Sequence, residues 1–173
     1  MIDYHELIAN RVIQRAEKLG RQIDYIEVGV LTGNSALAVM NTGKVRYGLL
    51  VDDFSNTHCG EWKSSPEIAT RMLAPYAGMF DLKVGNSRDI LPLVKAQFDV
   101  GFVDGEHTYT ACWCDMENML RLLRDDGVMF VDDMENPTEL RDATERFAHE
   151  KHLKFIYHQV HNGLAELTRH EYD

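Results

Sequence analysis

The stretch Asp24-Tyr-Ile-Glu-Val-Gly-Val-Leu-Thr-Gly-Asn-Ser35 limits what this chain can fold into more than any other. Tyr25 to Val28 reads as a buried strand. It runs into a glycine turn and then a helix, for which Thr32, Asn34 and Ser35 are candidate caps. A unit of this kind presents backbone N–H groups at the C-terminal edge of a sheet, where open α/β sheets bind small molecules. The spacing argues against a dinucleotide. Val30, Leu31 and Thr32 follow Gly29, so the second and third glycines of a G-x-G-x-x-G fingerprint are misplaced. Glu27 places a carboxylate in an otherwise apolar strand end.

The rest of the chain repeats this grammar. Tyr4 to Leu19 has the helical period and precedes the first strand as a covering helix. Further strands are predicted at Val45–Val51, Phe80–Val84, Phe98–Val103 and Val128–Val131. Helices are predicted at Ser35–Met40, Pro66–Tyr76, Arg88–Lys95, Tyr109–Arg124 and Pro137–Glu150, the last capped by Asn136 with Pro137 at its first position. Residues Asn56 to Ser65 read as a loop over one end of the sheet. Lys154–Val160, the turn His161-Asn-Gly163 and Leu164–Arg169 form a hairpin, with Asn-Gly its strongest signal. Five alternations and a hairpin predict an α/β, Rossmann-like, doubly wound and mostly parallel sheet with a C-terminal antiparallel hairpin. A single domain over residues 1–173 is expected. It has an N-terminal covering helix (1–20), a core (24–133) and a C-terminal helix with hairpin (137–173).

Composition narrows the function. A net charge of −10 argues against nucleic acid as the main partner and leaves carboxylates free to hold a cation. No apolar run approaches the roughly 20 residues of a membrane span, and the N-terminus is no signal peptide, so a cytoplasmic location is expected. Cys59, Cys112 and Cys114 make no zinc-type spacing, and the last two point about 200° apart on a helix. They read as buried or half-buried thiols.

Glu27, Asp52, Asp104 and Asp132 each sit at the C-terminal end of a predicted strand. A parallel sheet brings these ends to one edge, and charge gathered there repels itself unless cations or donors offset it. Asp52 is placed to accept both hydroxyls of a ribose. Asp104, Asp132 and Asp133 lie on adjacent strand ends and suit a hard divalent cation such as Mg²⁺. His107, three residues beyond Asp104, is a candidate base, as is Asp104 itself. His58 is a weaker candidate. His5, His149, His152, His158, His161 and His170 fall on elements expected away from this edge. Trp62 and Trp113 read as packing residues.

The pattern E-x-G-x-x-x-G-x-S, as Glu27, Gly29, Gly33 and Ser35, resembles the first motif of class I S-adenosylmethionine-dependent methyltransferases. The string Phe-Asp-Val-Gly-Phe-Val-Asp-Gly-Glu-His-Thr-Tyr, 98 to 109, is similar to the Asp-Gly-x-His-x-Tyr segment of metal-dependent O-methyltransferases of the sugar type, which are related to the catechol type. The resemblance runs from about Tyr25 to Asp133. It implies a seven-stranded sheet closed by a reversed strand, as the hairpin suggests. It also implies S-adenosyl-L-methionine at Glu27, Gly29, Thr32, Gly33, Ser35 and Asp104, with Asp52 on the ribose and Asn86 and Ser87 at the adenine. The metal would be Mg²⁺ on Asp104, Asp132 and Asp133, with His107 or Asp104 as base. The acceptor would be a sugar or phenolic hydroxyl, on a small molecule or a glycan. A metal-independent methyltransferase and a non-catalytic cofactor-binding module are the alternatives. Only about twenty residues precede the first strand, so the acceptor pocket is expected to be open, completed by a second subunit in a homo-oligomer, or suited to a large substrate.

Overall fold

The computed structural model describes residues 3–55, 64–135 and 138–169. The expected loop over 56–65, with Cys59, His58 and Trp62, lies largely outside these residues, as do Asn136, Pro137 and His170.

The elements follow in chain order as α1 (Tyr4–Leu19), β1 (Ile23–Val28), α2 (Asn34–Met40), β2 (Val45–Asp52), α3 (Pro66–Met72), β3 (Phe80–Val84) and α4 (Ser87–Ile90). Then come β4 (Phe98–Val103), α5 (Tyr109–Leu122), β5 (Leu123–Val131), α6 (Thr138–Glu150), β6 (Leu153–His158) and β7 (Leu164–Arg169). The strands form one seven-stranded sheet in the order β3-β2-β1-β4-β5-β7-β6. β1 to β5 run parallel, while β7 runs antiparallel to both β5 and β6. The order reverses between β1 and β4, which opens a crevice at their C-terminal ends.

Period-two alternation divides the core. Val128 and Phe130 of β5 face a layer built on Ile8, Val12 and Ala16 of α1 with Val39 and Met40 of α2. Met129 and Val131 face the opposite layer, where Met116 and Met119 of α5 meet Leu140, Ala143 and Phe147 of α6. Parallel strands covered on both faces need continuous apolar sequence, and every residue of β1 and β4 is buried. Among the described residues no helix is long and apolar enough to cross a membrane.

Several boundaries differ from the sequence expectation for identifiable reasons. α4 stops at Ile90 and tightens into a 3₁₀ turn, Leu91–Leu93, because Pro92 has no N–H to continue the helix. The expected helix over 66–76 likewise becomes α3 and a 3₁₀ turn at Ala74–Tyr76 that contains Pro75. α5 gives way at Leu123, where β5 begins opposite Phe98. Arg124, expected on the helix, instead turns toward the N-terminal edge of the sheet and bonds Asp24 and Asp99.

Candidate functional site

Backbone geometry builds the site first. Gly29 follows β1 at φ 89°, and a Cβ there would lie 1.8 Å from the carbonyl oxygen of Asp104. Only glycine lets the turn approach β4 so closely. The Asp104 N–H closes the same seam on the Val28 carbonyl at 2.9 Å. Beyond the turn, Leu31 adopts φ 51° and donates its N–H to Asp52 Oδ2 at 2.7 Å. The other oxygen of Asp52 accepts the Phe54 N–H at 2.7 Å, with Phe54 at φ 53°. Two residues whose backbone lies in a sparsely populated region thus bond one carboxylate at the end of β2.

Behind the turn, Glu27 is fully buried and accepts from Ser35 Oγ at 2.5 Å and the Tyr25 hydroxyl at 2.7 Å. Burial raises its pKa to about 8 despite the opposing effect of those two donors.

These elements border a cleft of about 740 Å³, within the usual size of a small-molecule site. Of the residues predicted for the site, Gly29, Asp52, Asn86, Ser87, Asp104, His107, Asp132 and Asp133 line it. Glu27, Thr32, Gly33 and Ser35 do not. Glu27 and Ser35 sit behind the turn, where their hydrogen bond ties β1 to α2.

At one end of the cleft the carboxylates converge. His107 Nε2 lies 3.0 Å from Asp133 Oδ2 and 3.6 Å from Asp104 Oδ1. Ligand atoms of Asp104, His107 and Asp133 fall within 4.8 Å of one another. Asp132 stands outside that set, and its Oδ1 is buried with no hydrogen-bond partner. Burial first, with Asp104 and Asp133 adding repulsion, raises the Asp132 pKa to about 8. Asp104 is raised to about 6 by burial, against the hydrogen bond from His107. His107 in turn is raised to about 10 by Asp104 and Asp133. Three oxygen donors in mutual repulsion, one with an orphaned oxygen, fit a hard divalent cation.

Two histidines expected elsewhere reach this edge. His5 lies close enough for its charge to lower the Asp104 pKa, and His161 lines the cleft. Chain direction explains both. α1 runs back along the sheet before β1 begins, so its first turn covers the edge where β1 ends. β7 is antiparallel and pairs Ala165 with Val131, so the turn before it arrives where β5 ends. The same geometry supplies residues that the sequence did not reveal. Tyr4 lines the cleft, its pKa raised well above the usual by burial and then by Asp104 and Asp132. Asn162 Nδ2 donates to Asp133 Oδ1 at 2.9 Å. Asp115 of α5 also lines the cleft, accepting from Ser87 Oγ at 2.6 Å. Its position one turn beyond Ala111 on a cleft-facing helix was the available signal.

The profile of a family described as a methyltransferase domain matches residues 26–134, more than half of the chain. Solved structures share the fold at low identity. The O-methyltransferase NovP superposes with a TM-score of 0.76 at 17% identity, covering 97% of this chain and 80% of that one. TomG, an O-methyltransferase of Streptomyces achromogenes involved in tomaymycin synthesis and solved with S-adenosylmethionine, gives 0.70 at 18%, covering 96% and 80%. An O-methyltransferase of Bacillus cereus, solved with S-adenosylhomocysteine, gives 0.73 at 15%, covering 96% and 80%. Among curated proteins none matches the sequence significantly.

Proposed function

The chain belongs to the methyltransferase-domain family, and from this we propose that it is an S-adenosylmethionine-dependent O-methyltransferase assisted by Mg²⁺. The acceptor in this reading is a sugar or phenolic hydroxyl on a small molecule or glycan. One observation carries it: a single cleft holds the Gly29 turn, Asp52 and the carboxylates of Asp104, Asp132 and Asp133 side by side. The cofactors bound by the TomG and Bacillus cereus proteins support the same assignment for the glycine turn.

In this reading Asp52 fixes the ribose, and its bonds to Leu31 and Phe54 keep the surrounding backbone in place. Glu27 and Ser35 position the turn from behind rather than touching the cofactor. When bound, S-adenosylmethionine supplies a sulfonium methyl that the acceptor oxygen takes as its own proton leaves. Asp104, Asp132 and Asp133 would hold the divalent cation, which would lower the hydroxyl pKa and offset carboxylate charge that now faces His107. That charge matters for the base. While Asp104 and Asp133 hold its pKa near 10, His107 is protonated at neutral pH and cannot accept a proton. With those charges offset, its pKa would return toward the ordinary imidazole range and His107 would serve as base, with Asp104 the alternative acceptor.

His107 already neutralises Asp104 and Asp133 in part, and this favours a second reading, a methyltransferase that needs no metal. One experiment separates the two. Methyl transfer from S-adenosylmethionine is measured over a panel of sugar, phenol and amine acceptors, with excess EDTA and then with Mg²⁺ restored. Transfer to a hydroxyl that EDTA abolishes and Mg²⁺ restores is expected. Undiminished turnover in EDTA would favour the metal-free reading, and transfer confined to amines would remove the oxygen specificity.

A further inference from the structure

We propose that Asp115 is the acceptor for the 6-amino group of the cofactor's purine and sets the preference of the cleft for adenine. The inference rests on the adenosyl reading of the cleft given above.

The position follows from Asp52. Gly85 donates its N–H to the Asp52 carbonyl at 2.9 Å, so the turn after β3 adjoins the residue assigned to the ribose. A base attached to that ribose meets the part of the cleft lined by Asn86, Ser87, Ala111 and Asp115. The neighbouring acceptors are engaged, Glu106 Oε2 by Arg88 Nη2 at 2.8 Å. Asn86 Oδ1 already accepts from the Arg88 N–H at 2.9 Å and from Arg88 Nε at 3.3 Å. The Ser87 hydroxyl gives its proton to Asp115 Oδ1 at 2.6 Å. Among the described residues no hydrogen bond reaches Asp115 Oδ2. Gly105 keeps that oxygen clear, since a Cβ there would lie 3.0 Å from it.

Asp115 is only 2% exposed, and burial raises its pKa to about 6, so it is still ionised at neutral pH. Among the described residues it has one serine donor and no ion pair, which is costly for a buried carboxylate, and a further donor arriving with a ligand offsets that cost. An exocyclic amine supplies such a donor. A 6-oxo purine instead turns a carbonyl oxygen toward the carboxylate, which repels it. Asp115 therefore selects by attraction and by repulsion.

The test is calorimetric binding of S-adenosylhomocysteine and its 6-oxo analogue S-inosylhomocysteine, with no turnover required. Wild-type protein is expected to prefer the adenosyl form by at least about tenfold. Asp115→Asn keeps the shape but can present either an oxygen or an amide N–H. It is expected to bind the inosyl form more tightly than wild type does, and to bring the ratio within about threefold. Asp115→Ala is expected to level the ratio by weakening the adenosyl form. A wild-type ratio near one overturns the assignment, as does a ratio unchanged in Asp115→Asn, which is the result of a purely structural role. Binding of neither compound to wild type overturns instead the adenosyl reading on which the proposal rests.

Discussion

Asp24 and Asp99, the second residues of β1 and β4, are buried as deeply as Asp132 and Asp133 beyond the opposite ends of the strands. Their surroundings are the reverse. Asp99 receives Arg21 Nη2 at 2.7 Å and Arg124 Nε at 3.1 Å, as well as the Asp24 N–H at 2.9 Å. Asp24 receives Arg46 Nη2 at 2.7 Å and Arg124 Nη2 at 3.0 Å. At the C-terminal edge no arginine bonds Asp104, Asp132 or Asp133 among the described residues, and it is the His107 imidazole that approaches Asp104 and Asp133. A buried carboxylate needs compensation wherever it lies. The N-terminal edge supplies most of it from within the fold, through three arginines, and so acts as a staple, although Asp24 Oδ1 is, like Asp132 Oδ1, buried without a hydrogen-bond partner. In the reading proposed above, the C-terminal edge leaves part of it to a ligand, at a cost in stability that functional sites commonly carry.

The sharpest way to break this contrast is to exchange the losses. Asp104→Ala is expected to lower methyl transfer by about a thousandfold while leaving the melting temperature unchanged or higher, as turnover and thermal melting on one preparation will show. Asp99→Ala is expected to do the opposite. It should cost about 3 kcal/mol, near the low end for a broken buried pair because Arg21 and Arg124 stay partly solvated, or about 6–12 °C in melting temperature. Cofactor affinity of the folded fraction should not change. A large loss of affinity in Asp99→Ala would erase the distinction.

Asp52→Ala lies between the two edges in kind. Losing a charged acceptor for the ribose is expected to weaken S-adenosylhomocysteine by about 10–100-fold in calorimetry, with a smaller loss of stability from the freed Leu31 and Phe54 turns.

The smallest effect is pH dependence without metal. Asp104 and Asp132 have folded pKa values of about 6 and about 8, above the ordinary value near 4 for an unfolded aspartate. The folded chain therefore binds more protons than the unfolded one between those limits. The associated stability is fully present below about pH 4 and is lost as pH rises through 6 and 8. His107 adds to the same slope, since its stabilisation fades as pH rises through about 10. Melting of the chelator-treated protein is expected to fall from pH 5 to pH 9. Asp132→Asn should flatten the decline, and so should Mg²⁺ added to wild type.

The sheet was legible in the sequence because each strand end carried its own punctuation, Gly29, Asp52, Gly85 and Asp104 among them. The seven strands and the antiparallel closure followed from periodicity, from the Asn162-Gly163 turn and from the family resemblance. Strand-end carboxylates were readable for the same reason, because parallel strands bring their ends to one edge. Residues from other elements were not. Tyr4, His161 and Asn162 reach the cleft through the directions of α1 and β7, and a one-dimensional pattern does not show which end of an element lands where. Of the motif Glu27, Gly29, Gly33 and Ser35, Gly29 lines the cleft, whereas Glu27 and Ser35 bond each other behind the turn. Asp115 escaped because a single carboxylate on a helix looks like solvated surface until the Ser87 turn is seen packed against it.

The central claim is that the acids at the C-terminal edge form a cation site that the fold leaves for a ligand to complete. Titration of Mg²⁺ into chelator-stripped protein loaded with S-adenosylhomocysteine, alongside Asp132→Asn, tests it directly by calorimetry. Saturable binding near one equivalent in wild type, lost or greatly weakened in Asp132→Asn, is the predicted result. No saturable binding to wild type, or equal binding to both proteins, would contradict it.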